Sequence, residues 1–83
     1  MNAAEILQAT RRQPFEPFRL VTTDGAQFDI RHPDQCLTFT RLLVLGLPAG
    51  PGQNQPEREI RIDLRHVVRI ESLQAPVPPG NGS

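Results

Sequence analysis

From Glu59 to Glu71 the chain alternates apolar and charged positions almost without interruption. Ile60, Ile62 and Leu64 share one face of an extended segment, and Glu59, Arg61 and Asp63 share the other. Arg65-His66 breaks the alternation, and Val68 and Ile70 resume it against Arg69 and Glu71. The pattern predicts a strand, one tight turn and a second strand, as at the end of a small β-barrel. Upstream, Phe18, Leu20, Phe28 and Ile30 alternate with polar residues on either side of Thr23-Asp24-Gly25. A three-residue loop with Gly25 in the left-handed conformation sets Phe18 opposite Ile30, Leu20 opposite Phe28 and Thr22 opposite Ala26. It also sets Arg19 across from Asp29, an opposite-charge pair on the outer face. A two-residue Asp-Gly loop would place Leu20 opposite Asp29 and mix the two faces, so the longer loop is expected.

Asn2 can cap a helix, with Glu5 three residues on in the capping-box position. Ala3, Ile6, Leu7 and Thr10 then fall on one face, and Pro14 ends the helix, which is expected over about residues 3–12. Pro14-Phe15-Glu16-Pro17-Phe18 reads as a stiff extended connector carrying two aromatic rings. His32-Pro33-Asp34 interrupts the second strand, because proline cannot donate to a ladder. Cys36 to Phe39 and Leu42 to Leu47 follow as extended segments. Leu42-Leu43-Val44-Leu45 is apolar on both faces, so one face should be covered by the helix or by a second subunit. Pro48 to Pro56 reads as a Pro/Gly loop, and residues 74–83 read as a disordered tail.

These elements give a mainly β fold: one antiparallel five-stranded small barrel over residues 1–73, preceded by a single N-terminal α-helix. The predicted core is Phe18, Leu20, Phe28, Ile30, Leu37, Phe39, Leu43, Leu45, Ile60, Ile62, Leu64, Val68 and Ile70, with Ile6 and Phe15 as a lid.

Composition narrows the function classes. The 83 residues carry 9 basic and 9 acidic side chains, and every basic one is Arg. That bias reflects a GC-rich genome more simply than selection for bidentate contacts. Net charge zero argues against strong non-specific attraction to nucleic acid or membrane. With one cysteine, Cys36, no intramolecular disulfide or zinc knuckle is available, and beside Leu37 it reads as a small buried hydrophobe. No apolar run is long enough for a signal peptide or membrane span, which leads to the expectation of a cytoplasmic protein. Ala49-Gly50-Pro51-Gly52 lacks the lysine and the following helix of a phosphate loop.

His32 and His66, with Asp34 and Asp63, are the residues a metal or acid–base site would use. Their spacing matches no ligand signature, and histidines at turns more often fix the turn, so neither a catalytic site, a metal nor a cofactor is expected. Asp63 is placed to cap the turn at Arg65-His66. Arg61, Arg65, His66 and Arg69 form the candidate interaction or RNA surface, although Asp63 lies between Arg61 and Arg65, and Glu71 is next but one to Arg69. Leu42 and Val44 are the candidate subunit contacts.

The run Arg12-Gln13-Pro14-Phe15-Glu16-Pro17-Phe18-Arg19, then Asp24-Gly25, His32-Pro33-Asp34, Ile62-Asp63-Leu64, His66-Val67 and Arg69-Ile70-Glu71 resembles a family of small uncharacterised bacterial proteins across nearly all of residues 1–73. The resemblance implies no activity. A helix followed by short strands is also similar, on pattern alone, to the Sm-like and SH3-like small barrels. The expectation is a non-enzymatic interaction module that forms homo-oligomers through exposed strand edges. An Sm-like RNA-binding protein is the alternative.

Overall fold

The computed structural model describes residues 1–47 and 58–73; the expected loop and tail lie outside them. One helix, α1 (Ala3–Arg11), precedes six strands: β1 (Phe18–Thr22), β2 (Gln27–Ile30), β3 (Cys36–Thr38), β4 (Leu42–Leu47), β5 (Arg58–Asp63) and β6 (Val67–Ser72). Asn2 caps α1 by accepting the Glu5 N–H at 3.1 Å, which is one half of the expected capping box. Two one-turn 3-10 helices, Pro33–Gln35 and Leu64–His66, carry the chain between sheets.

The strands form two antiparallel sheets of three, ordered β2-β1-β6 and β3-β4-β5. Among the described residues they do not close into one hydrogen-bonded barrel, and there are six strands where the sequence predicts five. The 3-10 turn that begins at Pro33 separates β2, in the first sheet, from β3, in the second.

The first hairpin has the predicted register: Phe18 opposite Ile30, Arg19 opposite Asp29, and Leu20 opposite Phe28. The Thr22 N–H donates to the Ala26 carbonyl at 3.0 Å, the Gly25 N–H donates to the Thr22 carbonyl at 2.9 Å, and Gly25 takes φ 85°. A residue with a Cβ would be strained there.

Ile6, Phe18, Leu20, Ile30, Cys36, Leu43, Leu45, Leu47, Ile62, Leu64 and Val67 form one buried cluster between the sheets. Helix α1 enters it through Ile6, with Ala3 and Ala9 partly buried against it. Phe15 also packs on the cluster and meets Phe18 edge to face, ring centroids 6.0 Å apart. No helix among the described residues is long and apolar enough to cross a membrane.

Three predicted core residues lie outside: Leu37 is 56% exposed, Phe39 53% and Val68 48%. Parity explains the first two. Leu43 and Leu45 point inward, and they pair with Thr38 and Cys36, so Leu37 is left on the outer face opposite Val44, with Phe39 exposed beyond it. Val68 is displaced by an irregularity. Leu20 opposes Ile70 and Val21 opposes Arg69, but Thr22 opposes Val67, so β6 carries an extra residue at Val68. Val67 turns inward in its place and is only 2% exposed. Phe28, Ile60 and Ile70 are partly buried against the cluster rather than inside it.

Ile62→Ala should therefore cost about 2–5 kcal/mol, whereas Phe39→Ala should change stability by no more than about 0.5 kcal/mol. Urea melts of both variants check the assignment, and equal losses would contradict an inward Ile62 and an outward Phe39.

Candidate functional site

Four of the residues singled out in the sequence, Asp63, Arg65, His66 and Arg69, lie at or just after the step between β5 and β6, with Arg61 two residues before it. Asp63 ends β5, and its side chain accepts the Arg65 N–H at 2.8 Å, as its place before the turn predicts. The Arg65 guanidinium also closes on the same carboxylate, with N–O distances of 2.9–3.3 Å. The Arg65 side chain and the backbone N–H hold the Asp63 carboxyl down to about 2, and the same pairing raises Arg65.

Main-chain bonds fasten this turn from three directions. The Leu64 N–H donates to the Arg41 carbonyl at 3.0 Å, and the Thr23 N–H donates to the His66 carbonyl at 2.8 Å. The Met1 nitrogen donates to the carbonyls of Leu64 and Val67, both at 3.2 Å. The His66 Nδ1 and the Thr23 hydroxyl stand 3.4 Å apart, so the histidine lies against the first hairpin loop.

A cleft of about 390 Å³ opens here between that loop and β5, bordered by Thr23, Asp24, Phe28, Arg61, Asp63 and His66. The Asp24 carboxyl bonds the Thr22 hydroxyl and accepts the Ala26 N–H at 3.2 Å. Those two bonds keep Asp24 below the usual carboxylate range, and the nearby His66 adds to the effect. Both carboxylates of the cleft are thus ionised at neutral pH and already engaged in holding turns.

The candidate surface Arg61, Arg65, His66 and Arg69 is not a bare cationic stripe. Arg61 pairs with Glu59 at 3.3 Å, Arg65 with Asp63 at 2.9 Å, and Arg69 with Glu71 at 2.6 Å. In each pair the partners are two residues apart, and within the strands that spacing returns a side chain to the same face.

His32 is elsewhere. It borders a second cleft of about 520 Å³ with Arg19, Asp29, Arg31 and Arg58, so the two histidines are not brought together. Among the described residues no three His, Cys, Asp or Glu side chains gather closely enough to hold a metal ion. Cys36 lies in the core, where burial pushes its thiol up, away from the reactive thiolate.

Gln35 carries a role that the sequence pattern assigns to its neighbour. A histidine before proline is expected to fix the bend at His32-Pro33; Gln35 fastens it instead. Its Oε1 accepts the N–H groups of Arg31 and His32 at 2.8 and 2.9 Å, and its Nε2 donates to the Gly46 carbonyl at 3.1 Å. The signal in the sequence is its position three residues after the residue preceding the turn, the capping-box spacing.

The subunit-contact candidates Leu42 and Val44 lie half-buried on the outer face of β3-β4-β5, with Leu43 and Leu45 turned into the core. No family model, curated protein or solved structure matches the chain.

The depressed Asp63 gives a signed pH dependence. Its folded-state value lies below the ordinary 3.8, so it stabilises the fold above about pH 4, and that contribution is lost as pH falls toward about 2. Asp63→Ala should lower the melting temperature at pH 7, and the gap to the parent should narrow by pH 2. Thermal melts at the two pH values check this; a gap independent of pH would rule out the ionised cap.

Proposed function

We propose that the protein is a non-enzymatic interaction module that associates with further copies of itself through its open strand edges. The observation that carries this is the segment β5–turn–β6: two six-residue strands, each paired on one side only among the described residues. A one-sided strand leaves a row of backbone donors and acceptors able to pair with another chain. Leu42 and Val44, half-buried on the same sheet as β5, supply apolar contact beside that edge.

We read the two sheets as the halves of a small open barrel of the Sm-like and SH3-like kind. Taken as one bent strand, β2 and β3 reduce the six strands to five, and the 3-10 turn at Leu64–His66 links the last two. The resemblance to small bacterial proteins along residues 1–73 agrees with a small β-rich domain and brings no chemistry. In the first cleft Asp24 and Asp63 are already engaged in turns, and Cys36 is buried in the core.

RNA binding is the runner-up. The local ion pairs at Arg61, Arg65 and Arg69 weigh against it, since a phosphate would have to displace a carboxylate already in place.

Sedimentation equilibrium of natively purified protein tests both readings. A mass rising above the 9.3 kDa of one chain as concentration approaches about 1 mM is expected. A single-chain mass throughout would overturn self-association. The chain has no Trp and no Tyr, so a strong nucleic-acid band in its ultraviolet spectrum would put RNA first.

A further inference from the structure

We infer that the outer face of β3-β4-β5 packs against the same face of a second copy, around a two-fold axis crossing the strands at the Leu45–Ile60 pair. The inference rests on the self-association proposed above and gives it a second surface, the face of the sheet beside the β5 edge.

Strand parity puts Leu37, Val44 and Arg61 in one outward row across the sheet, and Leu42 and Asp63 in the next, with Phe39 at its end. Leu37 and Phe39 are more than half exposed, an unusual placement for two large apolar side chains on one small sheet. The helix is not their cover. Ile6 carries α1 into the cluster between the sheets, which is the opposite side of β4.

What fits the face is the face itself. Val44 projects from it, whereas Gly46 two residues on has no side chain. Leu37, Val44, Gly46, Arg58 and Glu59 border a shallow depression of about 270 Å³ there. Across β5, Glu59 lies beside Gly46 and Arg61 beside Val44. An antiparallel copy centred on Leu45–Ile60 exchanges the positions one residue either side of the centre. Val44 then meets the partner's Gly46 and enters the depression, and the Arg61–Glu59 pair of each copy lies against the other's with the charges alternating, so neither pair has to break. Both contacts occur twice, as an isologous interface requires. Knob faces hole and cation faces anion from a single placement of the axis.

Size sets the expected strength. Strand spacing and rise make the patch about 14 Å by 20 Å, well below the roughly 800 Å² per partner of a stable complex. The dimer should therefore be weak, with a dissociation constant of about 100 µM or above.

The test is sedimentation equilibrium of the full chain and three variants, with circular dichroism and thermal melts to show that each is folded. Val44→Glu and Arg61→Glu should each raise the dissociation constant about tenfold or more, while the double exchange Glu59→Arg with Arg61→Glu should restore association. Glu59 and Arg61 are largely exposed, so the exchange leaves the core untouched. A parent that dimerises while Val44→Glu and Arg61→Glu, both folded, dimerise equally well would overturn this face and leave self-association through edges standing. A parent that stays monomeric would overturn both readings.

Discussion

The structure depends on how the chain crosses from one sheet to the other at Asp63–Val67. Two three-stranded sheets share one core, and only short turns join them, so every backbone group in those turns must find a partner over a few residues. The Leu64–His66 turn meets that demand with bonds from elements distant in sequence: Arg41 between β3 and β4, Thr23 in the first hairpin loop, and Met1 ahead of the helix. Leu64 at its start and Val67 just after it are almost fully buried. The turn is thus both the place where the core is stitched across the sheets and the place where the first hairpin and the N-terminus are tied down. Asp63 is central because its one carboxylate satisfies the turn's backbone and orders the Arg65 side chain.

Charge on this protein is arranged locally. Arg61 with Glu59, Arg65 with Asp63, and Arg69 with Glu71 cancel within two residues, and Arg19 with Asp29 cancels across the first hairpin at 2.7 Å. Exposed pairs of this kind add little stability. Their stronger effect is on what the strands can touch. Charged side chains along β5 and β6 resist indiscriminate edge pairing, so association through these edges must satisfy the charges as well as the backbone. The outer face of β3 and β4 carries no such guard at Leu37, Phe39, Leu42 and Val44. Where charged edge and apolar face adjoin, along β5 and β4, a contact can be both adhesive and selective.

Much of this was legible in the sequence wherever a local rule had one solution. The Thr23-Asp24-Gly25 loop could be chosen because the shorter alternative put an aspartate against a leucine. The Asp63 cap could be chosen because a carboxylate preceded a turn between two amphipathic strands. The failures share a cause. Side-chain parity in β3 is not set by the apolar Leu37 and the Phe39 just beyond the strand, which favour facing inward; it is set by the register with β4, which draws Cys36 and Thr38 inward. In β6 one extra residue against β1 exchanges Val67 for Val68, and both are valines, so hydrophobicity carried no hint. Gln35 had a local signal in its spacing from His32, but its bond to Gly46 forms only once β3 has paired with β4. The candidate surface was legible as residues, but the self-pairing of its arginines depended on which face each side chain took.

The outward turn of Leu37 and Phe39 bears on why so small a domain would associate. A chain near 80 residues buries only about 60% of its unfolded surface, and each large apolar side chain left outside is lost to the core. Reversing the parity of β3 would recover Leu37 but would expel Cys36 and Thr38 and break the pairing that keeps Leu43 and Leu45 inward. The fold therefore accepts an apolar outer face as the consequence of the register that fills its interior. Such a face is a liability for a monomer and a ready contact for a dimer. In the proposed dimer, its alternation of Val44 with Gly46 and of Arg61 with Glu59 would give a second copy something specific to recognise, which a uniformly greasy strand would not.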